Sequence, residues 1–160
     1  IGLAPDNHNL YYALGTTYDQ LSDIPNSEAA YKQGLVLAEK HLSDLEKKYI
    51  ESKGTESEAE VNENLKLMRE DNFNILYNLG ALYYNDGVNR IKTANEIKDL
   101  TKFSKEKKAA EDIMVKALPY LEKALALNSR DKNTLSSLKE LYARMNDKVN
   151  YDRINEMLKN

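Results

Sequence analysis

The sequence predicts an all-α fold: a solenoid of about three helix-turn-helix repeats carrying two extended helical-hairpin insertions. Three observations lead there. An eight-residue phrase with fixed large and small positions recurs three times. Apolar residues between the copies recur at steps of three and four, the period of one helix face. Turn-forming clusters follow each copy of the phrase. The 160 residues, 41% hydrophobic and 31% charged, suit one folded domain or a piece of a repeat array.

The recurring phrase is Tyr11-Tyr12-Ala13-Leu14-Gly15-Thr16-Thr17-Tyr18, then Leu76-Tyr77-Asn78-Leu79-Gly80-Ala81-Leu82-Tyr83, then Leu135-Ser136-Ser137-Leu138-Lys139-Glu140-Leu141-Tyr142. The third copy keeps the large residues but has Lys139 where the glycine stood. Glycine inside a helix costs about 1 kcal/mol against alanine, so Gly15 and Gly80 call for a packing reason, the close approach of a partner helix. The clusters that follow are Ser22-Asp23-Ile24-Pro25, Asn85-Asp86-Gly87 and Asn146-Asp147. A second helical phrase appears at Ala30-Tyr31 to Gly34-Leu35 and at Tyr120-Leu121 to Ala124-Leu125.

Together these residues resemble the tetratricopeptide repeat, whose pattern is a large residue, then Leu-Gly-x2-Tyr, then Ala-x3-Phe, then Pro. Leu14-Gly15-x2-Tyr18 and Leu79-Gly80-x2-Tyr83 match the first phrase, Ala117-x3-Leu121 matches the second, and Ser27-x3-Tyr31 is a relaxed form of it. No copy has the family Trp. Pro5 precedes Tyr11 by the family interval, so residues 1–5 read as the tail of a preceding repeat. The chain opens on Ile1 with no initiator Met and no signal-like core, and is expected to be the C-terminal part of a longer array.

The organisation follows from the spacing. Leu14 to Leu79 is 65 residues and Leu79 to Leu138 is 59, both well beyond the family's 34-residue period. Repeat 1 is assigned to 8–38, an inserted hairpin to 39–72, repeat 2 to 73–127 with an insertion at 86–116, and repeat 3 with its cap to 131–159. The first insertion lies between repeats and the second within one, so they should project from opposite edges of the array. Leu35, Ala38, Leu42, Leu45 and Tyr49 form one stripe of the first hairpin, and Val61, Leu65 and Met68 the facing one. Gly54 suits the helix end between them, and Thr55-Glu56-Ser57-Glu58 has capping-box spacing for the return.

In the second insertion, Val88, Ile91, Ala94 and Ile97 lead outward, so the helix is expected to run through Asn85-Asp86-Gly87 to about Ile97. A polar turn around Lys98 to Ser104 follows, and Ala110, Ile113, Ala117 and Leu121 lead back. Pro119 should kink the returning helix, since it lacks an amide donor. From about Lys148 to Lys159, Tyr151, Ile154 and Leu158 form one face while Asp152, Arg153, Asn155, Glu156 and Lys159 cover the rest, as a terminal cap requires. About seven helices with short loops and no strands are expected.

Composition excludes several functions. A net charge of −3 and pI near 5.5 argue against a nucleic-acid surface. No apolar run approaches the ~20 residues of a membrane span. The chain has no cysteine, which removes disulfides, thiolate metal sites and a Cys nucleophile. His8 lies among the cap-like Asp6 and Asn7, where a surface hydrogen-bonding role is expected; His41 lies 33 residues on beside the first hairpin's stripe. Neither has a His or Cys companion at ligand spacing, and Asp86-Gly87 lacks the alternating acids of a calcium loop. Without a phosphate loop or nucleophile elbow the chain is expected to be no enzyme, with no catalytic residues, metal or cofactor. Lys102, Lys105, Lys107 and Lys108 form the dense basic cluster, read as a solvated hairpin tip or an acidic-partner contact.

Eleven tyrosines stand against two Phe and no Trp. Tyr18, Tyr31, Tyr83 and Tyr142 take repeat-core positions. The family resemblance implies a concave groove lined by the first helix of each repeat. It places Asn9, Tyr12, Thr16, Asn74, Tyr77, Asn78, Ala81, Tyr84, Asn133, Ser136, Ser137 and Glu140 on that face. Tyr supplies contact area at low entropy cost, and Asn pairs with extended backbone, so a protein or peptide partner is expected there. A family variant that clamps chain termini with basic residues does not fit: Tyr12, Thr16, Ser136, Ser137 and Glu140 stand where its Lys, Arg and Asn would be. Self-association through the hairpins, or service as the accessory region of a larger enzyme, are the alternatives. The phrase pattern with its long charged insertion also resembles bacterial tetratricopeptide proteins often exported to the cell envelope.

Overall fold

Short polar side chains set where the helices begin. In the computed structural model, which describes residues 6–159, helix α1 (His8–Gln20) starts at Asn7, whose side chain accepts from the Asn9 and Leu10 amides. Asp23 starts α2 (Ile24–Ser52) by accepting from Asn26 N–H, and Asp99 starts α4 (Leu100–Val115) by accepting from Lys102 N–H. Asp131 and Asp147 do the same for α6 (Lys132–Arg144) and α7 (Lys148–Met157). Each satisfies an amide that the first turn of a helix leaves without an intrahelical acceptor. The remaining helices are α3 (Glu58–Ala94) and α5 (Leu118–Leu127). The described residues are all-α and contain no strand.

Several local expectations are refined. The hairpin at 39–72 is not a separate pair of helices: its outgoing arm is the second half of the 29-residue α2, and its return is the first half of the 37-residue α3. Gly54, at φ +77°, makes the turn between them. Thr55 does not cap α3. Its hydroxyl donates back to Ser52 O at 2.6 Å, while the Glu58 carboxylate accepts from Gly54 N–H at 2.7 Å. Asn85-Asp86-Gly87 lies inside α3, where Asp86 pairs with Arg90 one turn on. That helix stops at Ala94, short of Ile97. The turn is 95–99, so Lys102 to Ser104 are helical rather than a loop. Pro119 interrupts rather than kinks. The chain leaves the helix at 116–117 and restarts at Leu118, with the proline in the first turn, where its missing N–H costs nothing. The expected repeat tail at 1–5 lies outside the described residues.

The chain divides into two compact units, Ile1–Leu76 and Tyr77–Asn160. In the first, α1 and α2 run antiparallel. A Cβ at Gly15 would sit 2.5 Å from the ring of Tyr31, and one at Gly34 would sit 3.2 Å from Tyr11 Cβ. Gly15 thus admits the ring of Tyr31, and Gly34 admits the α1 backbone at His8 and Tyr12. Ser27, fully buried, donates its hydroxyl to Gly15 O at 2.9 Å, which satisfies this buried polar side chain. The hairpin is tied by Asn72, whose buried amide donates to Ala38 O at 3.0 Å and to Met68 O at 2.9 Å. Nearer the tip Arg69 pairs with Glu46.

His8 corrects the sequence reading. It is buried, with its ring edge-on to His41 at 5.5 Å between centroids and Nε2 3.0 Å from Asp71 Oδ2. The hydrogen-bonding role holds, but the residue is not on the surface, and it does have a histidine companion. No group of three or more His, Asp or Glu among the described residues is arranged to hold a metal ion.

In the second unit α3 runs antiparallel to α4 and α5. Gly80 faces Leu121 and Gly87 faces Ala110 and Met114. Leu79, Leu82, Leu121, Leu138 and Leu141 are buried around them, and Ile154 closes the core from α7. Tyr83 is buried and stacked on Tyr120 at 5.8 Å. Tyr31 and Tyr142 are likewise core residues, whereas Tyr18 is only half-buried. Where the third phrase has Lys139, its ammonium lies 5.4 Å from the centre of the Tyr151 ring.

Candidate functional site

The twelve residues assigned to the groove are all accessible, and none belongs to the core. Asn9, Asn133, Ser136 and Glu140 are exposed, and the other eight are half-buried. That distribution follows from helix geometry. Leu79, Leu82 and Tyr83 turn inward, so Tyr77, Asn78, Ala81 and Tyr84 occupy the flank of the same helix.

In the first unit, Asn9, Tyr12 and Thr16 form one stripe along α1. Thr16 donates its hydroxyl to Tyr12 O at 3.0 Å and accepts from the Tyr31 hydroxyl at 3.2 Å. The Tyr12 ring lies 6.1 Å from that of Tyr31. Tyr31 is thereby held from both sides, and burial raises its pKa above the usual tyrosine value. Asn74 lies in this unit too, half-buried on α3.

The second unit brings two of the predicted residues close enough to influence each other's charge. The Tyr84 hydroxyl of α3 lies beside the Glu140 carboxylate of α6, across 56 positions of sequence. Glu140 also accepts from Arg144 one turn on, at 2.8 Å from Nη2 and 3.3 Å from Nε. Burial, and then the neighbouring Glu140 carboxylate, push the Tyr84 pKa up to about 12. The Glu140 carboxyl is held below its ordinary value by the Tyr84 hydroxyl first and the Arg144 guanidinium second. Tyr77 is shifted upward by burial and then by the nearby Asp131. The phenols of this face therefore stay neutral donors over the whole ordinary pH range.

Sequence reasoning missed Arg144. Its spacing from Glu140 is that of a helical ion pair and was legible, but the tyrosine that completes the group was not. A parallel arrangement escaped it entirely. Glu122 of α5 accepts from the Tyr142 hydroxyl at 2.6 Å and from Arg153 of α7, which ties three helices together. Burial and then Glu122 push Tyr142 up to about 12 as well.

Chemically, the face around Tyr84 offers neutral hydroxyl and amide groups beside a carboxylate whose charge is already met by Arg144. It can cradle an extended main chain through hydrogen bonds and ring contact. The four lysines of the basic cluster lie elsewhere, exposed along α4. No helix among the described residues is long and apolar enough to cross a membrane. No family model, curated protein or solved structure matches this chain.

Proposed function

We propose that the chain is a non-catalytic interaction scaffold of the tetratricopeptide type, which binds an extended peptide segment of a partner protein. The binding face is the flank of α3 and α6 in the second unit, where Tyr77, Asn78, Ala81, Tyr84, Ser137 and Glu140 stand. The observation that carries this reading is the placement of the half-buried, neutral Tyr84 of α3 beside the Glu140–Arg144 ion pair of α6. Arg144 holds the Glu140 carboxylate beside that phenol, so a ligand meets a partly ordered surface and the ordering cost of binding is reduced. Asn9, Tyr12 and Thr16 give the first unit a similarly ordered stripe.

A peptide-display selection against the purified chain supplies the ligand, and variants then locate it. Ala81→Arg and Ser137→Arg change half-buried positions without touching the core and should each weaken a selected peptide tenfold or more, about 1.4 kcal/mol. Tyr77→Ala/Asn78→Ala/Tyr84→Ala should abolish binding. Undiminished affinity in all three would sink the reading.

Exposed apolar residues favour a second use of the first unit. Ile50 and Leu67, one on each arm of the hairpin, are each more than half exposed. Self-association through the hairpin would cover them. Sedimentation equilibrium of the chain and of Ile50→Ser/Leu67→Ser decides this: a monomer at every concentration would exclude it.

A further inference from the structure

The charge of the chain is not spread evenly. Residues 90–108 carry seven cations and three anions, net +4, within a chain of net −3, so the remaining sequence carries −7. The structure folds this basic segment around a cleft. The end of α3, the turn at 95–99 and the start of α4 enclose about 590 Å³. Arg90 stands on one wall and Lys102, Lys105 and Glu106 on the other, with Ala94 and Ile97 between them. Arg90 is engaged through Nε by both oxygens of Asp86, at 2.9 and 3.0 Å, which leaves its outer nitrogens without a hydrogen-bond partner among the described residues. Lys102 and Lys105 are exposed and have no carboxylate partner among the described residues. Ala94 is buried and Ile97 half-buried, so the cleft has an apolar floor beneath cationic walls.

We propose that this cleft binds an acidic peptide segment with one apolar side chain set among its carboxylates. The apolar residue rests on Ala94 and Ile97, and the flanking carboxylates meet Arg90, Lys102 and Lys105. A bare inorganic anion would leave the floor and most of the volume unused. A nucleic-acid strand would find no aromatic ring in the lining on which to stack a base, and would meet the acidic remainder of the chain. The site is separate in residues from the face around Tyr84 and does not depend on it.

The test uses fluorescein-labelled Asp-Glu-Leu-Asp-Glu and fluorescence anisotropy with the full chain. Saturable binding is expected, weakened roughly fivefold or more between 50 and 300 mM salt because the walls act through charge. Lys102→Glu/Lys105→Glu should weaken it tenfold or more, and so should a peptide with Gly in place of Leu. Circular dichroism checks that the variant is folded; a second variant, Ile97→Ser, tests the floor with the charges intact. Tyr77→Ala/Asn78→Ala/Tyr84→Ala should bind this peptide as wild type does, which separates failure here from failure of the α3–α6 face. Three results overturn the proposal: no saturable binding, binding indifferent to charge reversal, or complete displacement by tripolyphosphate at the peptide's own affinity. The last would make the cleft a site for anions of any kind.

Discussion

Gly80 of α3 lies against Leu121 of α5 so closely that a Cβ at position 80 would stand 2.7 Å from the leucine side chain. Leu121 is fully buried and cannot retreat. Alanine gains about 1 kcal/mol over glycine in helix propensity, but overpacking a core costs about 1–3 kcal/mol. Gly80→Ala is therefore expected to lower stability by about 1 kcal/mol, read as the shift of the urea midpoint. Gly87→Ala should cost more, about 2 kcal/mol, because its Cβ would also meet the backbone carbonyl of Ala110 at 2.8 Å, which no rotamer change relieves. If both variants were more stable than wild type, the close helix approach would not explain these glycines.

Asn72 holds the hairpin through two donated hydrogen bonds, and its own Oδ1 accepts none. Asn72→Asp keeps the shape but turns both donors into a charged acceptor facing carbonyls in a buried place. A loss of about 3 kcal/mol or more is expected, against a smaller loss for Asn72→Leu, since an apolar replacement leaves no buried charge. Chemical denaturation of the two variants checks the order.

Alkaline pH should loosen the second unit. Tyr84 and Tyr142 have folded-state pKa values raised to about 12, above the ordinary value of 10 that applies unfolded. Below pH 10 the stabilisation of the neutral phenols is fully present. From pH 10 to 12 the unfolded chain gives up these protons first, so stability falls as pH rises. The slope of unfolding free energy over that window should shrink in Tyr84→Phe/Tyr142→Phe. An unchanged slope would mean that other groups set the alkaline limit.

At the start of α6, Asp131 accepts from both the amide and the hydroxyl of Thr134 at 2.7 Å, and Thr134 is fully buried. At the start of α7 Asp147 serves Asn150, which is only half-buried. Asp131→Ala should thus cost about 2 kcal/mol and Asp147→Ala about 1 kcal/mol or less, because only the first leaves buried donors unmet. Thermal unfolding followed by circular dichroism measures both.

The sequence by itself determined the helices. A three-and-four step of apolar residues and an Asp or Asn before a run are local signals, read within one or two turns of chain. Leu79, Leu82 and Tyr83 announced the buried face of α3, and the same residues left Tyr77, Asn78 and Tyr84 on its accessible flank. Gly15 and Gly80 announced close approaches, although not which residues would fill them. Where the reading slipped, local rules competed. Asn85-Asp86-Gly87 has turn chemistry, yet the helix runs through it as expected, with Gly87 against Met114 and Asp86 against Arg90; only its end was misplaced, at Ala94 rather than Ile97. Pro119 was placed inside a helix, yet it starts one.

Tertiary structure alone decided the pairings. Nothing within a few turns of His8 points to Asp71, 63 residues away, or to His41 beneath it. Nor does anything near Tyr84 point to Glu140. A hydrogen bond between distant segments is set by which antiparallel helices meet and at what register. That register is fixed jointly by all the side chains between them, such as Leu121 seated on Gly80. Burial followed from the local pattern, whereas partnership had to wait for the packing.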